Sequence, residues 1–149
     1  MSSGKDSHRK KSVGFLIPLL LIFGISLFAW FHGSHSIDWT WTEDSLTVTD
    51  PGGETFSVDF ADVITVTLEP QNDLGECLRG DSTRAWIYGV WKNERWGQYR
   101  LCAAADSTSC IVFQATDGFT VISYESEQTT RALFESACDL VSSALARLS

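Results

Sequence analysis

Histidine is almost missing from this chain: the three present, His8, His32 and His35, all lie within the first 35 residues. Ser–His and Cys–His nucleophile pairs and His-bearing metal sites are therefore excluded from the remainder. A Cys-x-x-Cys pair is also missing. Cys77, Cys102, Cys110 and Cys138 are too widely spaced for a zinc ribbon or a thioredoxin-type redox pair. Basic residues are scarce beyond residue 31, where Arg79, Arg84, Lys92, Arg95, Arg100, Arg131 and Arg147 face eighteen Asp and Glu, a net charge of −11. Such a domain is a poor partner for nucleic acid, which is a polyanion. Eighteen carboxylates offer material for acid–base chemistry, but no spacing singles out a pair. No catalytic residue, cofactor site or metal site is expected.

What the chain does have is one long uncharged run, residues 13–31 (VGFLIPLLLIFGISLFAWF). Its nineteen residues match the roughly 20 apolar residues that cross a bilayer as a helix. The preceding tail carries Lys5, Arg9, Lys10 and Lys11 against one Asp6, whereas the following flank has no Lys or Arg before Arg79. Cytoplasmic flanks keep Lys and Arg, so the N-terminus is expected inside and the C-terminal part outside the cytoplasm. A cleaved secretory signal is the alternative. Its apolar region would run ~7–15 residues and end in a small-x-small site; here the run ends in Ala29-Trp30-Phe31-His32. The expected organisation is a basic tail (1–12), a transmembrane helix (13–31), a linker (32–36) and one folded domain (37–149) in a single-pass cell-membrane protein.

The folded part reads as strands followed by one helix. Short alternating segments are expected at 37–42, 45–49, 54–59 and 63–69, the last with Ile64, Val66 and Leu68 on one side. Asp50-Pro51-Gly52-Gly53 marks a turn, and residues 70–83 read as a long polar loop. Three hairpins are then expected. Strands 86–91 and 96–102 would set Trp91 opposite Trp96, Tyr88 opposite Tyr99 and Trp86 opposite Leu101. A turn centred on Asp106 would set Cys102 opposite Cys110, and Asp117-Gly118 would set Phe113 opposite Ile122. These registers put Trp86, Tyr88, Tyr99, Leu101, Ile111, Phe113, Ile122 and Tyr124 on one face of a four-stranded meander. Residues 127–147 carry apolar residues at helical spacing, with Ser126 as N-cap and Arg147 near the end.

Two groups of candidate site residues follow. Cys102 and Cys110 are expected to bridge across a hairpin, with two small buried thiols as the alternative. Cys77 would then tie the long loop to Cys138 on the helix, unless Cys138 is simply part of the core. Trp91 and Trp96 are expected on the face away from the core, where they form a binding tip with Lys92, Arg95, Arg84 and Arg100. The alternative is a cross-strand pair that stabilises the hairpin, or a local bulge that buries one ring. Arg79-Gly80-Asp81 is an RGD tripeptide, read as coincidence.

The order of elements resembles the bacterial PH-like domains over residues 37–146. The resemblance is carried by Asp44-Ser45-Leu46-Thr47-Val48, Phe60-Ala61-Asp62-Val63-Ile64, Tyr88-Gly89, Trp96-Gly97-Gln98-Tyr99 and the run from Ile111 to Ser123. It implies a mainly β fold with one C-terminal helix: a barrel of about seven antiparallel strands in two near-orthogonal sheets, capped by the helix. Eukaryotic relatives that bind phosphoinositides use a Lys/Arg-rich loop between the first two strands. Thr42-Glu43-Asp44 occupies that place and is acidic, so no phosphoinositide site is implied. The expected function is a non-catalytic binding or scaffolding module, anchored in the lipid bilayer through residues 13–31 and meeting a membrane or envelope protein. Its alternatives are a structural subunit assembling through the membrane helix and an enzyme with an acidic site.

Overall fold

Alternating apolar residues build nine strands among residues 37–149, which are the residues that the computed structural model describes. The basic tail, the 13–31 span and the 32–36 linker lie outside the described residues. No helix among the described residues is long and apolar enough to cross a membrane.

The first three strands form their own sheet. β1 (Asp38–Trp41), β2 (Ser45–Thr49) and β3 (Thr55–Asp59) pair antiparallel in sequence order. Strict alternation points Leu46, Val48, Phe56 and Val58 to one face and Thr47, Ser57, Thr49 and Thr55 to the other. On the open face the hydroxyls of Thr47 and Ser57, and of Thr49 and Thr55, pair at 2.9 Å. A 3₁₀ turn, Phe60–Asp62, then redirects the chain. Asp59 caps it by accepting from Ala61 N, and Phe60 is driven into the core.

The other six strands form the second sheet, in the order β4 (Val63–Pro70), β8 (Ser109–Ala115), β9 (Gly118–Ile122), β7 (Gly97–Ala104), β6 (Trp86–Asn93), β5 (Glu76–Ser82). All neighbours are antiparallel except β7 and β9. The first face of this sheet holds Cys102, Ile111, Phe113 and Ile122, which pack against the β1–β3 sheet and the C-terminal helix α1 (Glu127–Leu148). Tyr99, Leu101, Cys110, Val112 and Val121 lie on the second face and belong to a separate core.

Ser126 caps α1 as expected, its Oγ accepting from Thr129 N. The helix lies on the 3₁₀ turn, β4 and β8. Its buried stripe is Thr130, Ala137, Val141 and Ala144, flanked by Leu133, Phe134 and Leu140. Small residues in that stripe let the helix approach the sheet closely, while Leu145 and Leu148 at its end remain exposed. Arg147 fastens that end to the β1–β2 turn, donating to Glu43 O at 3.0 Å and Asp44 Oδ1 at 2.7 Å.

The molecule is thus mainly β with one C-terminal helix and two sheets, but several details differ from expectation. Among the described residues there are nine strands rather than about seven, and β7–β9 is parallel. The polar segment 70–83 contains β5, a strand with every residue exposed. Such a strand shows no apolar alternation, so its sequence reads as loop. Ile64 is 59 % exposed rather than aligned with Val66 and Leu68, because a register irregularity separates Val63 from Thr65.

The meander is also different. β6 and β7 pair with Trp86 opposite Ala104, Tyr88 opposite Cys102 and Trp91 opposite Tyr99, a slip of three residues from the expected register. The cause is the turn: both strands run to the Asn93–Gly97 pair, and Asn93 Oδ1 accepts from Trp96 N at 2.7 Å. Trp96 therefore sits in the turn, not the strand. An odd slip exchanges the faces of one strand relative to the other, so Tyr99 and Leu101 part from Trp86 and Tyr88. The β8–β9 register slips by two, with Ile111 opposite Ile122, and an even slip keeps both strands' faces. The hairpin expected between β7 and β8 does not exist, because β9 lies between them.

Candidate functional site

The second core explains where the expected binding tip has gone. Trp91 and Trp96 are each only 8 % exposed. They pack with Tyr99, Leu101, Ala103, Cys110, Val112 and Val121. Trp96 meets Tyr99 edge-on at 5.1 Å and Phe119 at 6.4 Å between ring centroids, geometries that aromatic rings favour. Trp91 Nε1 donates to Tyr88 O at 3.1 Å, so its polar atom is satisfied. The expectation of two exposed indoles fails because the face opposite the first core is itself covered.

The cover is made of segments at the ends of strands. Residues 71–75 run from β4, on one edge of the sheet, to β5 on the other. Gln71 holds the start of this segment, its Nε2 donating to Ala104 O at 2.7 Å and its Oε1 accepting from Ser123 Oγ at 2.7 Å. Leu74 packs on the second core, and Leu74 O accepts from the Tyr99 hydroxyl at 2.6 Å. Asn93 Nδ2 donates to Asp73 O at 3.0 Å, joining the β6–β7 turn to the same segment. Arg95 then reaches across to β4, Nη1 lying 2.7 Å from Glu69 Oε2, while its guanidinium lies 5.4 Å from the Trp96 ring centre. Thr67 Oγ1 donates to the other Glu69 oxygen at 2.9 Å.

Between this segment and the β6–β7 turn lies a cleft of about 840 Å³, lined by residues that include Asp73, Glu76, Lys92, Glu94, Arg95 and Trp96. Lys92, Arg95 and Trp96 of the expected tip are thus brought together, with Trp96 at the base rather than displayed. Arg84 is not part of the group. It lies in the β5–β6 turn, at the other end of β6, roughly 25 Å from Lys92 at ~3.3 Å per residue. Arg100 belongs to another place: its guanidinium lies 5.9 Å from the Phe56 ring centre, and it lines a second cleft of about 680 Å³ with Arg79, Asp59, Asp62 and Asp117.

The four thiols are free. Cys102 and Cys110 are not cross-strand neighbours, since β9 separates their strands and they belong to cores on opposite faces. Cys77 is exposed on β5 and Cys138 is half-buried on α1. Burial pushes the Cys110 thiol up to about 12, the Glu69 charge adding to that and Arg95 opposing it. The Cys102 thiol is raised by burial and then by Asp50. Cys138 is raised by burial and by Asp139 and Glu135. A raised thiol stays protonated at neutral pH and is a weak nucleophile. Burial likewise raises Tyr99 and Tyr124. Tyr124 links the two sheets, accepting from Trp41 Nε1 at 3.0 Å and stacking on Trp39 at 4.4 Å.

Among the described residues no group of His, Cys, Asp and Glu could hold a metal ion. The cleft gathers both charge signs beside amide side chains, an arrangement able to hydrogen-bond a polar partner of mixed charge. The chain matches no protein-family model, no curated protein and no solved structure.

The sequence did hold a signal for the second core. Leu101 to Ala104, Cys110 to Phe113 and Val121-Ile122 are consecutive apolar runs, not alternating ones. Such runs mark strands buried on both faces, and they fall on β7, β8 and β9, the centre of the sheet.

Proposed function

We propose that the protein is a non-catalytic binding module of PH-like type, held at the outer surface of a membrane by residues 13–31 and docking a neighbouring membrane or envelope protein. The observation that carries this reading is the cleft between residues 72–76 and 92–96, where Lys92 and Arg95 stand among Asp73, Glu76 and Glu94. Mixed charge at a rim suits a protein surface, where paired polar groups set specificity and approach rate. It does not suit a polyanion, which wants uniform positive charge. The β-rich fold with one C-terminal helix is compatible with the PH-like reading, and the parallel β7–β9 pair is its departure from an antiparallel barrel. The acidic Glu43-Asp44 turn, engaged by Arg147, gives no support to a phosphoinositide site there.

The test is proximity labelling from the C-terminus in intact cells, comparing the wild-type chain with Lys92→Glu plus Glu94→Lys. Both side chains are exposed. Recovery of the main labelled neighbours should fall about fivefold, as for loss of roughly 1 kcal/mol of interface energy, with the melting temperature unchanged. An identical set of neighbours in identical amounts contradicts the cleft as the docking site. Labelling of cytoplasmic proteins contradicts the topology.

A further inference from the structure

Among the described residues β5 is an edge of the six-stranded sheet, paired to β6 on one side and to no strand on the other. All seven residues, Glu76–Ser82, are exposed. The free N–H and C=O groups of such an edge are a template for another strand. Charged side chains, lysine above all, proline, a bulge or a covering segment are the usual protection. Here the register shift lies between Cys77 and Arg79, to one side of Gly80, while Arg79 and Asp81 are of opposite sign. β5 has no lysine or proline.

Its charges are arranged with local two-fold symmetry. Arg79 and Asp81 flank Gly80, and they stand opposite Val90 and Tyr88 of β6, two residues apart, so both project from the same face. An antiparallel copy of the strand centred on Gly80 sets Arg79 of each copy directly opposite Asp81 of the other. Opposite-charge pairs so placed stabilise a sheet. A parallel copy in register would set Arg79 against Arg79. Gly80 is itself required: its φ is +128°, Gly89 opposite it has φ +113°, and a Cβ on either would collide with the backbone of the other strand. The strand therefore has no side chain at the centre of symmetry.

We propose that β5 is a self-association edge, through which two copies of this chain pair antiparallel about Gly80 with Arg79 of one copy against Asp81 of the other. The charge pattern dictates a swap test. Arg79→Glu makes both cross-strand pairs like-charged, and so does Asp81→Arg. Mixing the two variants restores opposite charges in both pairs. The introduced glutamate of one copy then meets the introduced arginine of the other, and the retained Asp81 meets the retained Arg79.

The experiment uses the full chain in neutral detergent, carrying two different affinity tags, with co-recovery as the readout and circular dichroism confirming the fold. Wild-type copies should co-recover. Each single variant should self-associate about tenfold more weakly, and the mixed pair should return to the wild-type level. Glu54→Gln removes the Arg79 partner within the chain, 3.3 Å away, and should leave co-recovery intact. Monomeric wild-type chain, single variants equal to wild type, a mixed pair no better than either variant, or Glu54→Gln reproducing the loss would each overturn the proposal.

Discussion

The two faces of the six-stranded sheet are buried by different means. Its first face is covered by separate elements, the β1–β3 sheet and α1, which bring their own apolar sides to Ile111, Phe113 and Ile122. The second face is covered by the sheet's own end segments, which bring Leu74 and Trp96 over Leu101, Cys110 and Val121, beside Trp91 of β6. Covering the first face depends on periodic patterns in distant segments. The second face relies on a few fixed links, Gln71 to Ala104 and Ser123, Tyr99 to Leu74, and Arg95 to Glu69. Side chains that terminate strands thus do on one face what a helix does on the other. The cleft with Lys92, Arg95 and Trp96 is a by-product of that second arrangement, opening where the end segments meet.

If both faces are true cores, truncating either should cost alike. Leu101→Ala on the second face and Ile111→Ala on the first, both fully buried, should each lower stability by about 2–5 kcal/mol in urea unfolding. A small loss for Leu101→Ala alone would reduce the second face to a covered surface.

Gln71→Ala should cost about 1 kcal/mol. The Ala104 carbonyl loses the Gln71 donor but keeps Ser107 N, and the Ser123 hydroxyl loses its acceptor but still accepts from Ala104 N. Hydrogen exchange should quicken around residues 71–75 more than in α1. Equal quickening in both would couple the two faces into one unit.

The thiols sharpen the comparison, since Cys102 and Cys110 lie one in each core. An ordinary thiol titrates near 9.0, as Cys110 would in the unfolded chain, but burial holds it at about 12 in the fold. The unfolded state therefore loses its proton first. The stability is present in full below about pH 9 and is lost as pH rises towards about 12. Cys110→Ala should flatten that alkaline loss. At pH 8 an alkylating reagent should modify exposed Cys77 within minutes and spare Cys102 and Cys110 until denaturant is added, followed by mass spectrometry. Failure of Cys102 and Cys110 to react in denaturant without reductant would reinstate a disulfide.

The ion pairs should give the smallest effects. Arg95→Ala leaves a half-buried Glu69 without its cation, and should cost about 1 kcal/mol, less in high salt. Arg147→Ala, the more exposed clasp on the first face, should cost about 0.5 kcal/mol or less. The reverse order would place the stronger clasp on the helix side.

Most of the first face was legible in the chain. Strict alternation at Ser45–Thr49 and Thr55–Asp59 located strands and their inward residues, and the 127–147 periodicity with Ser126 located α1. The second face was signalled only by the consecutive apolar runs of β7, β8 and β9, and its arrangement was hidden for three physical reasons. Register within a hairpin depends on turn geometry, and Asn93 capping Trp96 N moved the β6–β7 turn. Strand order is a long-range property, so nothing local announced that β9 would insert between β7 and β8. An edge strand such as β5 buries no side chain and so carries no apolar period. Of the expected site, the Lys92–Arg95–Trp96 cluster was legible because those residues are neighbours in one turn. The remoteness of Arg84 and Arg100 follows from tertiary structure alone.

The reading that the β6–β7 turn closes a second core is tested most directly by Trp96→Ala in equilibrium urea unfolding, with Trp96→Phe as the conservative partner. A buried indole predicts a loss of about 3–5 kcal/mol for Ala and a clearly smaller one for Phe. A loss within about 0.5 kcal/mol for Ala, the range of a surface residue, would contradict it and return Trp96 to the displayed position that the sequence alone implied.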